Sequence, residues 1–444
     1  MSATKQILDL NRFNANNTSH MPPLLAERVA RRQATFGAAS VLFYEQPIEM
    51  VRGEGAFLYD TNGKRYLDVY NNVPSVGHCH PRVVEAIARQ AGTLNTNTRY
   101  LVRIVETYAE RLLATFPAPL CNLVMTCTGS EANDVALRIA ENVTNARGFI
   151  VTSSAYHGNT SAVEHISPSS FKSQNAAPHV RTVPAPDPRT APNGDIGTQF
   201  AAQIQAAIDD LRASGHGFAG IFADSIFSSD GIFADPPGFL QQAAAIVREA
   251  GGLFIADEVQ PGFGRTGGGM WGFARHGIIP DIITMGKPMG NGFPMGGVVT
   301  SPEYLTAFTR ETSYFNTFGG NPVAAAAGLA VLDVIAEENL IANAAQTGAM
   351  LKDGLKALQS EFNQIGDVRG AGLFIGLDFN NPANGAPDPA MASHAINAMK
   401  QHGILIGAAG LYGHTLKIRP PLCFNAGHTE MFLYTLRKIL AETL

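Results

Sequence analysis

The chain has little cysteine. Its 444 residues include four, Cys79, Cys121, Cys127 and Cys423, too few and too scattered for a disulfide framework, so a reducing, cytoplasmic setting is expected. It has no surplus of positive charge either. Lys and Arg number 32 against 37 Asp and Glu, a net charge of −5, which argues against nucleic acid or an anionic membrane as partner and toward a small molecule. Long apolar runs are missing: none reaches the roughly 18 residues of a membrane span. The nearest approach, 323–332, stops at Asp333 and reads as a buried helix. Residues 1–20 are polar, rich in Asn, Ser and Thr, without the apolar stretch of a secretory signal.

What the chain does have is apolar residues, 45% of the total, and 45 glycines. The first supply a core large enough for two domains. The second predict tight turns and places where backbone comes close to a ligand. Between about 120 and 300, short apolar runs at 123–126, 148–152, 219–223, 253–256 and 282–285 alternate with amphipathic stretches at 132–142, 200–214 and 239–250. This βαβα order predicts a mostly parallel sheet covered by helices, and the uniformly apolar runs suit strands buried on both faces. Outside that region, 55–63 reads as a strand entering a turn at Asn62-Gly63, 340–358 as a long helix, and 368–377 as a glycine-punctuated strand pair. Residues 178–192 and 380–389 read as surface loops.

Open α/β sheets bind ligands beyond the carboxyl ends of their strands, so polar residues directly after apolar runs are the first candidates. In Thr126-Cys-Thr-Gly-Ser-Glu-Ala-Asn-Asp134 a strand gives way to a small-residue turn and a helix. Gly129 lets the chain turn, and free N–H groups at the helix start, with Ser130, form an anion site suited to phosphate. The alternative is an ordinary cap made by Ser130 with Asp134. In Leu253-Phe-Ile-Ala-Asp-Glu-Val-Gln260 the two carboxylates point to opposite faces, because side chains alternate along a strand. Asp257 can then serve a cation, a metal or a protonated ring nitrogen, or be no more than a salt bridge or helix cap. In Asp281-Ile-Ile-Thr-Met-Gly-Lys-Pro-Met-Gly290, the proline keeps Lys287 out of a helix. Desolvation there would lower its pKa and make it a Schiff-base nucleophile, unless its stem merely packs on the core with the ammonium in water.

Together, an anion-binding turn, an end-of-strand aspartate and a desolvated lysine meet the needs of pyridoxal phosphate: N–H groups for the phosphate, a carboxylate for the pyridinium nitrogen, an amine for the aldehyde. Tyr156-His157-Gly158 adds an aromatic face for the ring. Two other patterns are weaker. Gly262-Phe-Gly-Arg-Thr-Gly267 fits the dinucleotide pattern but follows two carboxylates and a proline instead of opening a helix after a strand. His78-Cys79-His80 has no second Cys/His pair at metal-ligand spacing, so no metal site is expected.

In these residues the chain resembles the class III, omega-type aminotransferases, which are fold-type I pyridoxal phosphate enzymes. The resemblance runs from Gly55 to Pro421. It is carried by Asn72-Val-Pro-Ser-Val-Gly-His-Cys-His-Pro81, Gly129-Ser-Glu-Ala-Asn133, Tyr156-His-Gly158, Asp257-Glu-Val-Gln260, Gly264-Arg-Thr-Gly267, Gly286-Lys287 and Thr317-Phe-Gly-Gly-Asn-Pro322. It implies an α/β architecture with a large cofactor domain over 66–329 and a smaller α+β domain built from both chain ends, 1–65 and 330–444. It implies that Lys287 forms the Schiff base and moves the proton, and that Asp257 pairs with the ring nitrogen. Gly129 and Ser130 then hold the phosphate, and Tyr156 and Val259 pack on opposite sides of the ring. His157, Asp224 and Gln260 belong to the same cofactor site, with Gln260 near the ring hydroxyl. Thr317 is implied to reach the phosphate from the neighbouring subunit, making a homodimer, or a dimer of dimers, the expected assembly.

Arg419, in Leu416-Lys-Ile-Arg-Pro-Pro421, matches the position where these aminotransferases bind a substrate carboxylate, a task suited to a bidentate guanidinium; otherwise it is a structural arginine beside a turn. Phe43, Tyr44 and Tyr70 fall in segments that line the substrate pocket in relatives. The chain departs from the family at Asp224-Ser225, where Glu-Pro is usual, which shortens that carboxylate by one methylene. The expected reaction moves an amino group from an amine or omega-amino acid to a keto acid, pyruvate or 2-oxoglutarate. Residues 72–97, Asp224-Ser225 and Pro420-Pro-Leu-Cys-Phe424 also resemble the phosphoethanolamine and phosphohydroxylysine phospho-lyases, which expel phosphate. Those typically carry lysine where this chain has Arg419, so the transaminase reading is favoured and the phospho-lyase reading is the alternative.

Overall fold

The computed structural model describes residues 11–14, 21–39, 41–171 and 176–443. Most of the polar stretch 1–20 therefore lies outside the described residues. Three sheets organise the chain. Near the N-terminus β1 (Met50–Glu54), β2 (Phe57–Asp60) and β3 (Arg65–Asp68) make an antiparallel meander. The turn falls at Asn62-Gly63, where Gly63 takes φ 78°, a conformation that costs a side-chain-bearing residue.

The central sheet takes the next seven strands. They are β4 (Asn122–Thr126), β5 (Phe149–Thr152), β6 (Val180–Val183), β7 (Gly220–Ala223), β8 (Leu253–Asp257), β9 (Ile282–Met285) and β10 (Gly296–Thr300). Their spatial order is β4-β10-β9-β8-β7-β5-β6. From β9 to β6 every pairing is parallel, while β10 runs antiparallel to both neighbours. All five apolar runs of the sequence are strands here, and β5, β7, β8 and β9 are buried at every residue. The amphipathic stretches become the helices Gly129–Thr144, Ile196–Ala213 and Gln241–Glu249. The run at 323–332 lies in the helix Pro322–Glu337, most of it buried.

Two strands of this sheet escape the sequence pattern. β6 falls inside 178–192, read as a loop. It is a four-residue edge strand whose middle, Arg181 and Thr182, is polar and partly open to solvent, so no apolar run marks it. β10 begins with two glycines, which signal a turn more than a strand. The tertiary structure supplies the reason for them: a Cβ at Gly296 would fall 2.5 Å from the carbonyl oxygen of Thr128.

After the long helix Leu340–Glu361 come β11 (Ile365–Ala371) and β12 (Phe374–Phe379), an antiparallel pair. β13 (Ile404–Leu405) then crosses back to extend the N-terminal meander in parallel with β3. β14 (Gly407–Ala409) and β15 (Thr415–Ile418) complete a third sheet in the order β11-β12-β15-β14. The C-terminal part of the chain is thus tied to the N-terminal sheet through β13. The expected boundaries at 65/66 and 329/330 fall inside elements, since β3 crosses the first and the helix Pro322–Glu337 crosses the second. Among the described residues no helix is long and apolar enough to cross a membrane.

Candidate active site

Beyond the carboxyl ends of β4, β5, β7, β8 and β9 the structure encloses a cavity of about 290 Å³. Gly129, Ser130, Tyr156, His157, Asp224, Asp257, Val259, Gln260 and Lys287 all line it. Nine candidates from five separate stretches of chain therefore converge on one volume. Thr317 does not line the cavity of its own chain; it is exposed on the loop before the helix Pro322–Glu337.

One end of the cavity is built from backbone. The helix Gly129–Thr144 begins there, and its N-cap is Thr128, whose hydroxyl accepts from the Glu131 N–H at 3.1 Å. The capping alternative for Ser130 is thereby corrected: Thr128 precedes the first turn and takes the cap, leaving the Ser130 hydroxyl to accept from Asn159 N–H at 3.2 Å. The first N–H groups of a helix have no partner within it, so those of Gly129 and Ser130 stand free beside the cavity. Three glycines keep this end open. A Cβ at Gly286 would lie 3.0 Å from the Cα and N of Gly129, one at Gly129 would lie 3.0 Å from Val259 Cγ2, and one at Gly158 would lie 2.4 Å from Ser130 Oγ. A helix start with open N–H groups and no side chains in the way fits a phosphate.

Across the cavity Asp257, 4% exposed, ends β8. Its Oδ2 lies 2.7 Å from His157 Nδ1 and accepts from Asn133 Nδ2 at 3.1 Å, while Oδ1 accepts from Val259 N–H at 3.0 Å. A carboxylate bound by this many donors is held in one orientation. Its neighbour Glu258 faces the other way and accepts from the N–H groups of Gly272 and Phe273 and from the Ser225 hydroxyl. Burial pushes the Glu258 carboxyl up to about 8. The alternation read from the sequence thus separates a cavity-facing carboxylate from a structural one.

Lys287 follows β9 and donates no hydrogen bond among the described residues. Burial, and after it the positive charge of Arg419, lowers its pKa below the ordinary lysine value, against the pull of Asp257 and Asp224. A poised amine, a fixed carboxylate and an open helix start are the three groups pyridoxal phosphate requires, so the residues present fit that cofactor. Asp224, despite its short side chain, still reaches the cavity wall, where it accepts from the N–H groups of Ile226 and Ser228, both at 3.0 Å.

Arg419 follows β15, and its Nη1 donates to Asn72 Oδ1 at 2.7 Å and to Gln260 Oε1 at 2.9 Å. Its Nε is buried without a partner, and no carboxylate lies within ion-pair distance among the described residues. Its guanidinium sits 4.5 Å from the ring centroid of Tyr70, which meets Phe43 edge-on at 5.8 Å. Tyr44 is different. It is buried, with its hydroxyl donating to Ile406 O at 3.3 Å.

Sequence reasoning missed Asn72, Thr128 and Asn133, all polar residues inside stretches it had marked for their neighbours. It also missed Lys417, discussed below. His78 and His80 diverge to Asp68 at 2.7 Å and Glu338 at 2.9 Å, so the two histidines serve different ion pairs.

The sequence profile of the class-III aminotransferases matches residues 42–440. An alanine–glyoxylate aminotransferase 2-like protein of Drosophila melanogaster is 41% identical, over 94% of this chain and 87% of its own. An ethanolamine-phosphate phospho-lyase homolog of Caenorhabditis elegans is 38% identical over 93% of each chain. Among solved structures, an Arthrobacter phospholyase in complex with phosphoethanolamine superposes with a TM-score of 0.90 at 44% identity, covering 93% of this chain and 99% of its own.

Proposed function

As a member of the class-III aminotransferase family, the chain is a fold-type I enzyme that uses pyridoxal phosphate, and we propose that its substrate is a small primary amine whose far end carries an anion. The observation that carries this is Arg419. It is held by two neutral amides beside Lys287, and among the described residues no carboxylate pairs with it. A guanidinium left unpaired at a site is a place for a ligand's anion.

Gly129 and Ser130 would hold the cofactor's phosphate, Asp257 its ring nitrogen and Lys287 its aldehyde, with Tyr156, His157, Val259 and Gln260 around it. When bound, the cofactor supplies an electron sink for charge released at the carbon beside the amine. With the cofactor bound, Lys287 would be the base that removes the proton from that carbon, a task its lowered pKa favours. Asp257, fixed by His157 and Asn133, would place a carboxylate where the ring nitrogen needs one.

Two outcomes then diverge. The phospholyase relatives favour elimination from a phosphorylated amine, which for phosphoethanolamine and water gives acetaldehyde, ammonia and inorganic phosphate. The aminotransferase 2-like relative favours the second reading, amino transfer to a keto acid, for which Arg419 would take a carboxylate. The test is phosphoethanolamine added to the holoenzyme without any keto acid. Phosphate and ammonia released together over many turnovers support elimination. One conversion of the cofactor without phosphate release overturns it in favour of transfer.

Assembly as a homodimer belongs to the same proposal. Thr317 is exposed beside Phe315 and Phe318, which are 45% and 71% exposed, and a second copy would cover them. The four cysteines, none in a disulfide, support a cytoplasmic setting.

A further inference from the structure

Lys417, in the middle of β15, has no role in what precedes. It is 4% exposed, and among the described residues its ammonium neither donates a hydrogen bond nor forms an ion pair. The ring of Phe374 lies beside it, 5.5 Å from ammonium to centroid. A lysine buried without a counter-charge is rare, because its ammonium has given up water for nothing.

Its position explains what it is for. Side chains alternate along an extended chain, so Lys417 in β15 and Arg419 just after it fall on the same side. The residues beside Lys417 in the ladder are Gly376 and Gly407, which bring no side chain of their own against it. Tyr70 fills the space over Gly407, where a Cβ would fall 2.3 Å from its ring, and the Arg419 guanidinium lies over that same ring. The face abuts the loop after β7, to which Gly410 N–H donates at Ser229 O, 3.2 Å. Burial, and after it the charges of Arg419 and Lys287, lowers the Lys417 pKa well below the ordinary lysine value against the pull of Asp224 and Asp230, so a bound anion is what would hold its proton in place. Neither carboxylate touches it. Asp224 is taken up by Ile226 and Ser228, and Asp230 by the Thr152 hydroxyl at 2.8 Å and Ser154 N–H at 3.0 Å.

We propose that Lys417 is a second anion-binding residue of the active site, which together with Arg419 holds the dianionic phosphate of a phosphorylated primary amine. This rests on the reading that the cavity takes an amine with an anionic end, and it adds which anion. A carboxylate carries one charge and is matched by one guanidinium. A phosphate monoester carries nearly two at neutral pH, and the pair offers a directional fork in Arg419 and a compact point charge in Lys417.

Inorganic phosphate added to the holoenzyme probes this site, since the cofactor already fills its own phosphate site. Wild type, K417M and K417R are compared. Replacing an unpaired buried charge by an apolar side chain of the same length favours folding, and K417Q serves as a second neutral variant. We expect phosphate to compete with the amine substrate in wild type, with an inhibition constant at least tenfold higher in K417M and K417Q and largely restored in K417R. The ratio of kcat/KM for a phosphorylated amine to that for an unphosphorylated one should fall at least tenfold in the neutral variants, mostly through KM. An inhibition constant that is the same in wild type and both neutral variants overturns the proposal, as does equal loss toward both amines. If phosphorylated amines are not turned over yet phosphate still competes through Lys417, the anion site stands and the elimination reading falls.

Discussion

The Nδ1 of His157 lies 2.7 Å from Oδ2 of Asp257, and the other ring nitrogen, Nε2, is buried without a partner. The histidine is therefore spent on orienting one carboxylate. Asp257→Asn would remove the charge and set an amide donor either against His157 Nδ1 and Asn133 Nδ2 or, turned over, against Val259 N–H. The expected result is a kcat lower by about 10² or more, the scale for losing one preorganised electrostatic group, with a smaller fall in melting temperature. Steady-state kinetics beside thermal melts check both.

Lys287→Ala removes both the amine that attaches the cofactor and the proton carrier. Absorbance from covalently attached cofactor should vanish, and turnover should fall by about 10²–10⁴ or more, the span of general acid–base catalysis. Spectra and initial rates of the purified variant decide it; surviving turnover would mean that another residue is the base.

The pH dependence of cofactor attachment follows from the charges around Lys287. Attachment needs the neutral amine, and burial together with Arg419 lowers its pKa, so the attachment rate of the apoprotein should reach half its maximum below the ordinary lysine value. Removing a positive neighbour in Arg419→Gln should move that midpoint up. Removing a negative one in Asp224→Asn should move it down. A pH series of attachment rates for the three proteins tests the signs. Arg419→Gln should also raise KM for the anionic substrate by about ten- to a hundredfold, the equivalent of one charged hydrogen bond.

Gly286→Ala would place a Cβ 3.0 Å from two backbone atoms of Gly129. Backbone cannot rotate away as a side chain can, so the helix start must shift. A stability loss of about 1–3 kcal/mol is expected, with weaker cofactor retention, measurable by denaturant titration and equilibrium dialysis.

Thr317 tests the assembly. If it serves the neighbouring subunit's cofactor, the chain should sediment as a dimer or a dimer of dimers, and Thr317→Ala should lower cofactor affinity without changing sedimentation. Monomeric, fully active holoenzyme would refute the shared site.

The sequence by itself determined the central sheet and the chemistry at its edge. Strands buried on both faces read as apolar runs, and 253–256 is apolar at every residue while 282–285 is broken only by Thr284; residues at the ends of such strands sit at the carboxyl edge, which fixed Asp257 and Lys287 in place. It could not show β6 or β10, because an edge strand needs no apolar run and glycines read as turns until the carbonyl of Thr128 is seen against Gly296. Nor could it pair residues far apart in the chain. Asn72 and Gln260 meet at Arg419 across 347 and 159 positions, and Asn133 meets Asp257 across 124. In sequence Lys417 is one lysine in a strand. Only the tertiary structure decides that it is buried without a partner, since burial and the absence of a counter-charge are properties of what packs around a residue.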